Sequence, residues 1–122
     1  MSHNVLVVDD EPKLCELLAS ALSQNDIQVF TAGNGLHALA VLEREEIDLV
    51  ITDWRMPGMD GPQLLAEIKL RFPLLPVIVM TAYSTVKNAV QSMRNGAYDY
   101  ISKPFDIDEL DITVNKALQF RD

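Results

Sequence analysis

The sequence holds a single cysteine, Cys15, which rules out an internal disulfide framework and is compatible with a reducing cytosol. Cys15 falls among apolar residues at helical spacing, where a thiol serves as filling rather than as a nucleophile. No apolar stretch approaches the ~20 residues that span a bilayer, and LLPVIVM (74–80) is a buried strand at most. No basic segment followed by an apolar core stands at the N-terminus, so the expectation is a cytoplasmic protein without a secretory signal or membrane contact. Positive charge is short: Lys and Arg total 10 against 18 Asp and Glu, a net charge of −8 at pH 7. That balance argues against direct binding to nucleic acid or to an anionic membrane. Linkers, repeats and low-complexity segments are missing too, so residues 1–122 are expected to form one domain.

What is there alternates. VLVV (5–8), IQVFTA (27–32), IDLVITD (47–53), PVIVMTA (76–82) and AYDYIS (97–102) have the apolar, β-branched character of strands. Between and after them, apolar residues recur at helical spacing. Leu14, Leu17, Leu18, Ala21 and Leu22 follow Pro12, and Ala38, Leu39 and Leu42 follow Asn34–Gly35. Leu64, Leu65 and Ile68 follow Pro62 and are expected to face inward. Val86, Ala89, Val90 and Met93 share one face after Ser84, a plausible N-cap, and Asn95–Gly96 ends that helix. Asp106 with Glu109 resembles a capping box, and Ile107, Leu110, Val114 and Leu118 are expected to point inward. Five βα units of this length predict an α/β fold, a doubly wound five-stranded parallel sheet with helices on both faces and right-handed crossovers.

The first strand ends in three consecutive acids, Asp9, Asp10 and Glu11. Two like charges ~4 Å apart repel by about 4 kcal/mol at an effective dielectric of ~20. Asp10 or Glu11 capping the next helix, with the rest solvated, is one explanation. The fold offers another, because doubly wound sheets gather function outside the carboxyl ends of their strands. Asp9 and Asp10 end the first strand, Asp53 the third and Thr81 the fourth, while Lys103 follows the fifth. Carboxylates gathered there call for a cation, and an oxygen-only set with no nearby Cys or His favours a hard divalent ion. Mg²⁺ suits best, since it binds through one or two carboxylates and accepts phosphate oxygens. A nucleophilic carboxylate beside it points to an aspartyl-phosphate, with Lys103 and the Thr81 hydroxyl on the phosphoryl oxygens.

Four stretches in order, VLVVDDE (5–11), LVITDWRMPGMDG (49–61), VIVMTAY (77–83) and GAYDYISKPF (96–105), resemble a bacterial response-regulator receiver domain across nearly the whole chain. The resemblance implies the flavodoxin-like strand order 2-1-3-4-5 and makes Asp53 the phosphoacceptor. It implies that Asp10 and Asp53 ligate Mg²⁺ directly, Asp9 mainly through water, and Arg55 through its backbone carbonyl. Thr81 and Lys103 would bind the phosphoryl group, and Tyr100 matches the family's switch aromatic. The Lys103–Pro104 bond would be cis. The phosphoryl donor would be a histidine on a sensor kinase, so neither His3 nor His37 need serve. The implied activity is a signalling switch that assists its own phosphorylation and dephosphorylation. Its fourth helix, fifth strand and fifth helix would control an effector domain or downstream protein, with a phosphorylation-dependent homodimer as one form. Ile112, off the inward stripe of the last helix, is a candidate contact on that face. Arg55 and Tyr83 would border the path of the attacking water and slow hydrolysis.

GAYDYISKPFDIDEL (96–110) is similar, more narrowly, to receivers of the nitrogen-regulation class that activate sigma-54-dependent transcription. On that likeness the chain is either a stand-alone receiver or one cut from a longer regulator. Two rival chemistries fit the sequence less well. A haloacid-dehalogenase phosphatase wants a second acid two residues after the nucleophile, where Arg55 stands. A flavin module wants a Ser/Thr/Gly-rich phosphate loop after the first strand, where DDEP stands.

Overall fold

The computed structural model describes residues 3–23, 26–82 and 86–121. Strand and helix alternate throughout: β1 (His3–Val8), α1 (Pro12–Leu22), β2 (Ile27–Ala32), α2 (Gly35–Arg44), β3 (Leu49–Thr52), α3 (Gly61–Arg71), β4 (Val77–Thr81), α4 (Val86–Arg94), β5 (Asp99–Ser102) and α5 (Ile107–Arg121). The strands form one parallel sheet in the order β2-β1-β3-β4-β5. This is the doubly wound order expected from the sequence.

The sheet is apolar where it is covered. Every residue of β3 and β4 is buried, as are Val5 to Val8 of β1. The edge strands β2 and β5 are only partly buried. Alternate residues point to opposite faces. Val5, Val7, Leu49, Ile51, Ile78 and Met80 meet Leu18 and Leu22 of α1 and Leu110 and Val114 of α5. Leu6, Val8, Val50, Val77 and Val79 meet Ala38 and Leu42 of α2 and Leu64, Leu65 and Ile68 of α3. Right-handed crossovers put α4 beside α3 on this second face. Each fully buried Leu, Ile or Val contributes about 1.5–3 kcal/mol, which is what seats the helices.

Local signals start and stop the helices. Asn34 caps α2 by accepting from the His37 amide at 2.8 Å. Asp60 and Gln63 form a reciprocal capping box at α3, with distances of 3.1 Å each way. Asp106 accepts from the Asp108 amide at 2.8 Å, so its cap reaches Asp108 rather than Glu109. Gly96, at φ +100°, makes the turn after α4. The proposed N-cap Ser84 lies outside the described residues.

One expectation about facing needs correction: Ile107, expected to point inward, is 44% exposed. Leu17, in the apolar repeat of α1, is 53% exposed. In α4, Val90 and Met93 are 44% and 47% exposed, and among its described side chains the buried one is Ser92. Ser92 tolerates that place because its hydroxyl donates to the Ala89 carbonyl at 2.9 Å. Ile112 is exposed, as its position off the inward stripe suggests.

Candidate functional site

The site grows out of the sheet's hydrogen-bond ladders. Past β1, the Asp9 amide still donates to Ala32 at 3.1 Å. Past β3, the Asp53 amide donates to Val8 at 3.0 Å, and past β5 the Lys103 amide donates to Thr81 at 2.9 Å. Each functional side chain is thus the first residue beyond a strand, held by one more rung. Thr81 is itself the last residue of β4, paired with Ser102 and fully buried.

These rungs bring distant residues together. The Lys103 ammonium donates to Asp9 Oδ2 at 2.8 Å and to Asp53 Oδ2 at 3.0 Å. Asp9 is 1% exposed and Asp53 7% exposed, so both charges lie in a setting where pairing matters. Burial alone would lower the lysine's pKa. The hydrogen bonds and charges of Asp9 and Asp53 outweigh it and hold the group above its ordinary value, so Lys103 is a fixed cation. Asp10 is exposed, yet one of its carboxylate oxygens lies within 4.8 Å of one from Asp9 and one from Asp53.

The opening acids are therefore not a helix cap. Glu11 occupies the N-cap position of α1 without a side-chain cap, and Pro12 stands at the first turn. Asp9 Oδ1 instead accepts from the Glu11 amide at 3.0 Å, a short turn that fixes the carboxylate. Three carboxylates against one lysine leave two negative charges in excess at the sheet edge. The residues fit a hard divalent cation, because the donors are all oxygen and the surplus charge matches its own.

The remaining residues fall into place around this cluster. Arg55 is exposed, and its amide donates to Asp53 Oδ1 at 3.3 Å. Tyr100 pairs with Val79 in the β4–β5 ladder and packs half-buried against the core on the α2–α3 face. Val79 and Thr81 are two apart, so Tyr100 and Thr81 lie on the same side of the sheet, the side covered by α4. The Lys103–Pro104 bond is cis. Cys15 is buried with its thiol against the Asp9 carbonyl at 3.5 Å; burial first, and then the Asp9 charge, push its pKa up, so it is packing. His37 is exposed and joins no site. Tyr83, assigned to shielding by resemblance, lies outside the described residues.

Sequence reasoning passed over some of what holds the site. The Thr52 hydroxyl, fully buried, donates to the Asp53 carbonyl at 3.0 Å. The Gly61 amide donates to the Trp54 carbonyl at 2.9 Å, and a Cβ on Gly61 would stand 2.6 Å from Trp54 Cα, so only glycine lets α3 start so close to β3. The Asp60–Gln63 spacing signals the capping box; no sequence pattern signals the close approach at Gly61.

The fold and this cluster define a doubly wound α/β domain with an acidic, lysine-clamped cluster at the carboxyl edge of its sheet. Comparison with known proteins narrows the class. Residues 5–115 match the response regulator receiver domain family, and the chain belongs to it. It is 46% identical over 114 residues to the DNA-binding transcriptional regulator NtrC of Salmonella typhimurium, covering 93% of this chain and 24% of that protein. It is 44% identical over 115 residues to the transcriptional regulatory protein ZraR of Klebsiella oxytoca, covering 94% and 26%. Among solved structures, NtrX from Brucella abortus superposes with a TM-score of 0.93 at 37% identity, covering 99% of this chain and 28% of that one. These likenesses place the domain with receivers of the sigma-54 activator class. The chain spans about a quarter of the length of the curated relatives it matches. Among the described residues, no helix is long and apolar enough to cross a membrane.

Proposed function

We propose that Asp53 is the phosphoacceptor of this receiver and that residues 1–122 act as one switching domain. The observation that carries the reading is Lys103, held at 2.8 Å and 3.0 Å between Asp9 and Asp53, with Asp10 close by and Thr81 ending the adjacent strand. An Asp53 carboxylate oxygen attacks phosphorus in line. The new O–P bond forms as the bond to the donor breaks, and the departing histidine nitrogen of a sensor kinase takes up a proton. Lys103 meets the charge spread over the equatorial oxygens, and Thr81 supplies a hydroxyl at the same edge. Mg²⁺, held directly by Asp10, Asp53 and the Arg55 carbonyl and mainly through water by Asp9, would supply the remaining charge neutralisation.

The phosphoryl group then biases two conformers. A shift from 1:99 to 99:1 needs about 5.5 kcal/mol of differential contact. Thr81 and Tyr100 share a side of the sheet with α4, which supports a response that starts at α4 and the edge strand β5 and reaches α5 around that edge. The output is an effector domain or downstream protein, and relatives named as transcriptional regulators support transcription as its destination. Nucleic acid is not a partner of this domain, whose net charge is −8.

The test is intact mass after incubation with acetyl phosphate, with and without Mg²⁺, beside Asp53→Asn. One labile phosphoryl group that requires both Asp53 and the metal is expected. An adduct that survives Asp53→Asn moves the acceptor elsewhere. Ile112→Glu is expected to weaken phosphorylation-dependent self-association; unchanged association would remove Ile112 from the interface.

A further inference from the structure

The loop between β3 and α3 carries Arg55 and is pinned at several points. Trp54, 5% exposed, accepts from the Gly61 amide at 2.9 Å. Met56 is 7% exposed, so Arg55 stands between two buried anchors. Gly58, at φ +77°, turns the chain back toward α3. Met59 then packs half-buried against the core on the α2–α3 face.

What Met59 meets is Gly35, the first residue of α2. A Cβ built on Gly35 would stand 2.8 Å from both Met59 Cβ and Met59 Cγ, and 3.0 Å from the Met59 carbonyl oxygen. Ordinary side chains do not approach so closely. A flexible Met tip could swing away, but the Cβ and the carbonyl belong to the loop's own path. Nothing comparable surrounds Gly33 two residues earlier, where a Cβ would meet nothing within 4 Å.

We propose that Gly35 is a positioning residue for the metal site: by carrying no side chain it lets Met59 seat against the start of α2, and that seat fixes the loop bearing Arg55. The inference rests on the reading that Asp10, Asp53 and the Arg55 carbonyl hold a divalent cation. Loss of a group that orients a metal ligand typically costs about 10–100-fold in metal affinity.

The test is Mg²⁺ titration of the whole domain, followed by the fluorescence of Trp54, the single tryptophan and the neighbour of Asp53. Amide shifts of Asp53 and Arg55 in metal-free protein provide a second reading. Gly35→Ala is expected to weaken Mg²⁺ binding on the order of tenfold and to move both amides, while Gly33→Ala leaves both unchanged. Met59→Ala removes the seated side chain without adding a clash, so it is expected to weaken binding in the same direction and decides the matter if Gly35→Ala does not fold. Wild-type affinity in a folded Gly35→Ala protein, or equal losses in Gly33→Ala, would overturn the proposal while leaving the cation reading intact. No Mg²⁺ response in the wild type would remove both.

Discussion

Helices α3 and α4 cover the same face of the sheet by the same kind of crossover, yet they are held very differently. Helix α3 buries Leu64, Leu65 and Ile68 completely and begins with a closed capping box. Helix α4, among its described side chains, buries Ser92 alone and shows Val90 and Met93 to solvent. One is nailed into the core; the other lies on it. The free energy of opening an element follows the apolar area it buries. Of the two, the helix next to Thr81 and Tyr100 therefore costs less to move, and the helix that follows Asp53 is the one held firmly in the core.

Core truncation tests this comparison most strongly. Leu64→Ala is expected to cost about 3 kcal/mol in urea denaturation, by lost burial and a residual cavity. Met93→Ala is expected to stay within about 0.5 kcal/mol of wild type. Equal losses would break the comparison and make α4 a core helix.

Lys103 ties the strand ends together, reaching from the end of β5 to Asp9 and Asp53 beyond β1 and β3. Lys103→Met leaves those carboxylates facing each other with no cation between them. The expected cost is about 2 kcal/mol, below the range for a fully buried pair because the lysine side chain remains 15% exposed. Mg²⁺ should restore part of it by binding the folded state, so the metal should raise the Tm of Lys103→Met more than that of wild type. Equal rises would mean that lysine and metal do not share the same carboxylates.

The contrast between the helices also shows what could be read before the structure. Strand ends gave the site: Asp9, Asp53, Thr81 and Lys103 are legible because a parallel sheet fixes which ends converge, and the structure brings Asp9, Asp53 and Lys103 into direct contact. Strands were legible because β3 and β4 are buried on both faces and so are apolar throughout. Helix faces were less so. Periodicity reports that Val90 and Met93, or Leu14 and Leu17, share a side; it does not report whether anything covers that side. Leu17 and Ile107 line a shallow apolar groove with Leu14, Pro104 and Phe105, although Ile107 was expected to point inward. Close backbone approaches, such as Gly35 on Met59 and Gly61 on Trp54, depend on three-dimensional meeting points that no local pattern encodes.

The capping box is a smaller contribution to the firmness of α3. Asp60→Ala leaves the Gln63 amide without its side-chain acceptor and is expected to cost about 1 kcal/mol. Hydrogen exchange should quicken in the first turn of α3 and stay unchanged in α5. A loss spread over the whole domain would instead place Asp60 in the global core energetics.

The two half-buried lysines give the finest comparison, because their environments act in opposite directions. Lys69 of α3 donates to the Leu75 carbonyl at 2.9 Å, and burial lowers its pKa below the ordinary 10.5. Its charged form therefore costs stability at neutral pH, and that cost is relieved as pH rises through its folded value toward 10.5. Lys103 is the reverse: its carboxylate partners raise its pKa above 10.5, so its contribution is complete below that value and is lost only as pH climbs through the higher folded one. In alkaline titrations of stability, wild type should gain on Lys69→Met as pH approaches 10.5 and then lose ground to Lys103→Met above it. Each variant removes one proton-binding difference between folded and unfolded chains, so the slopes are read independently of any fixed change in contacts. Parallel curves for wild type and Lys103→Met above 10.5 would mean that Asp9 and Asp53 do not hold the ammonium in solution.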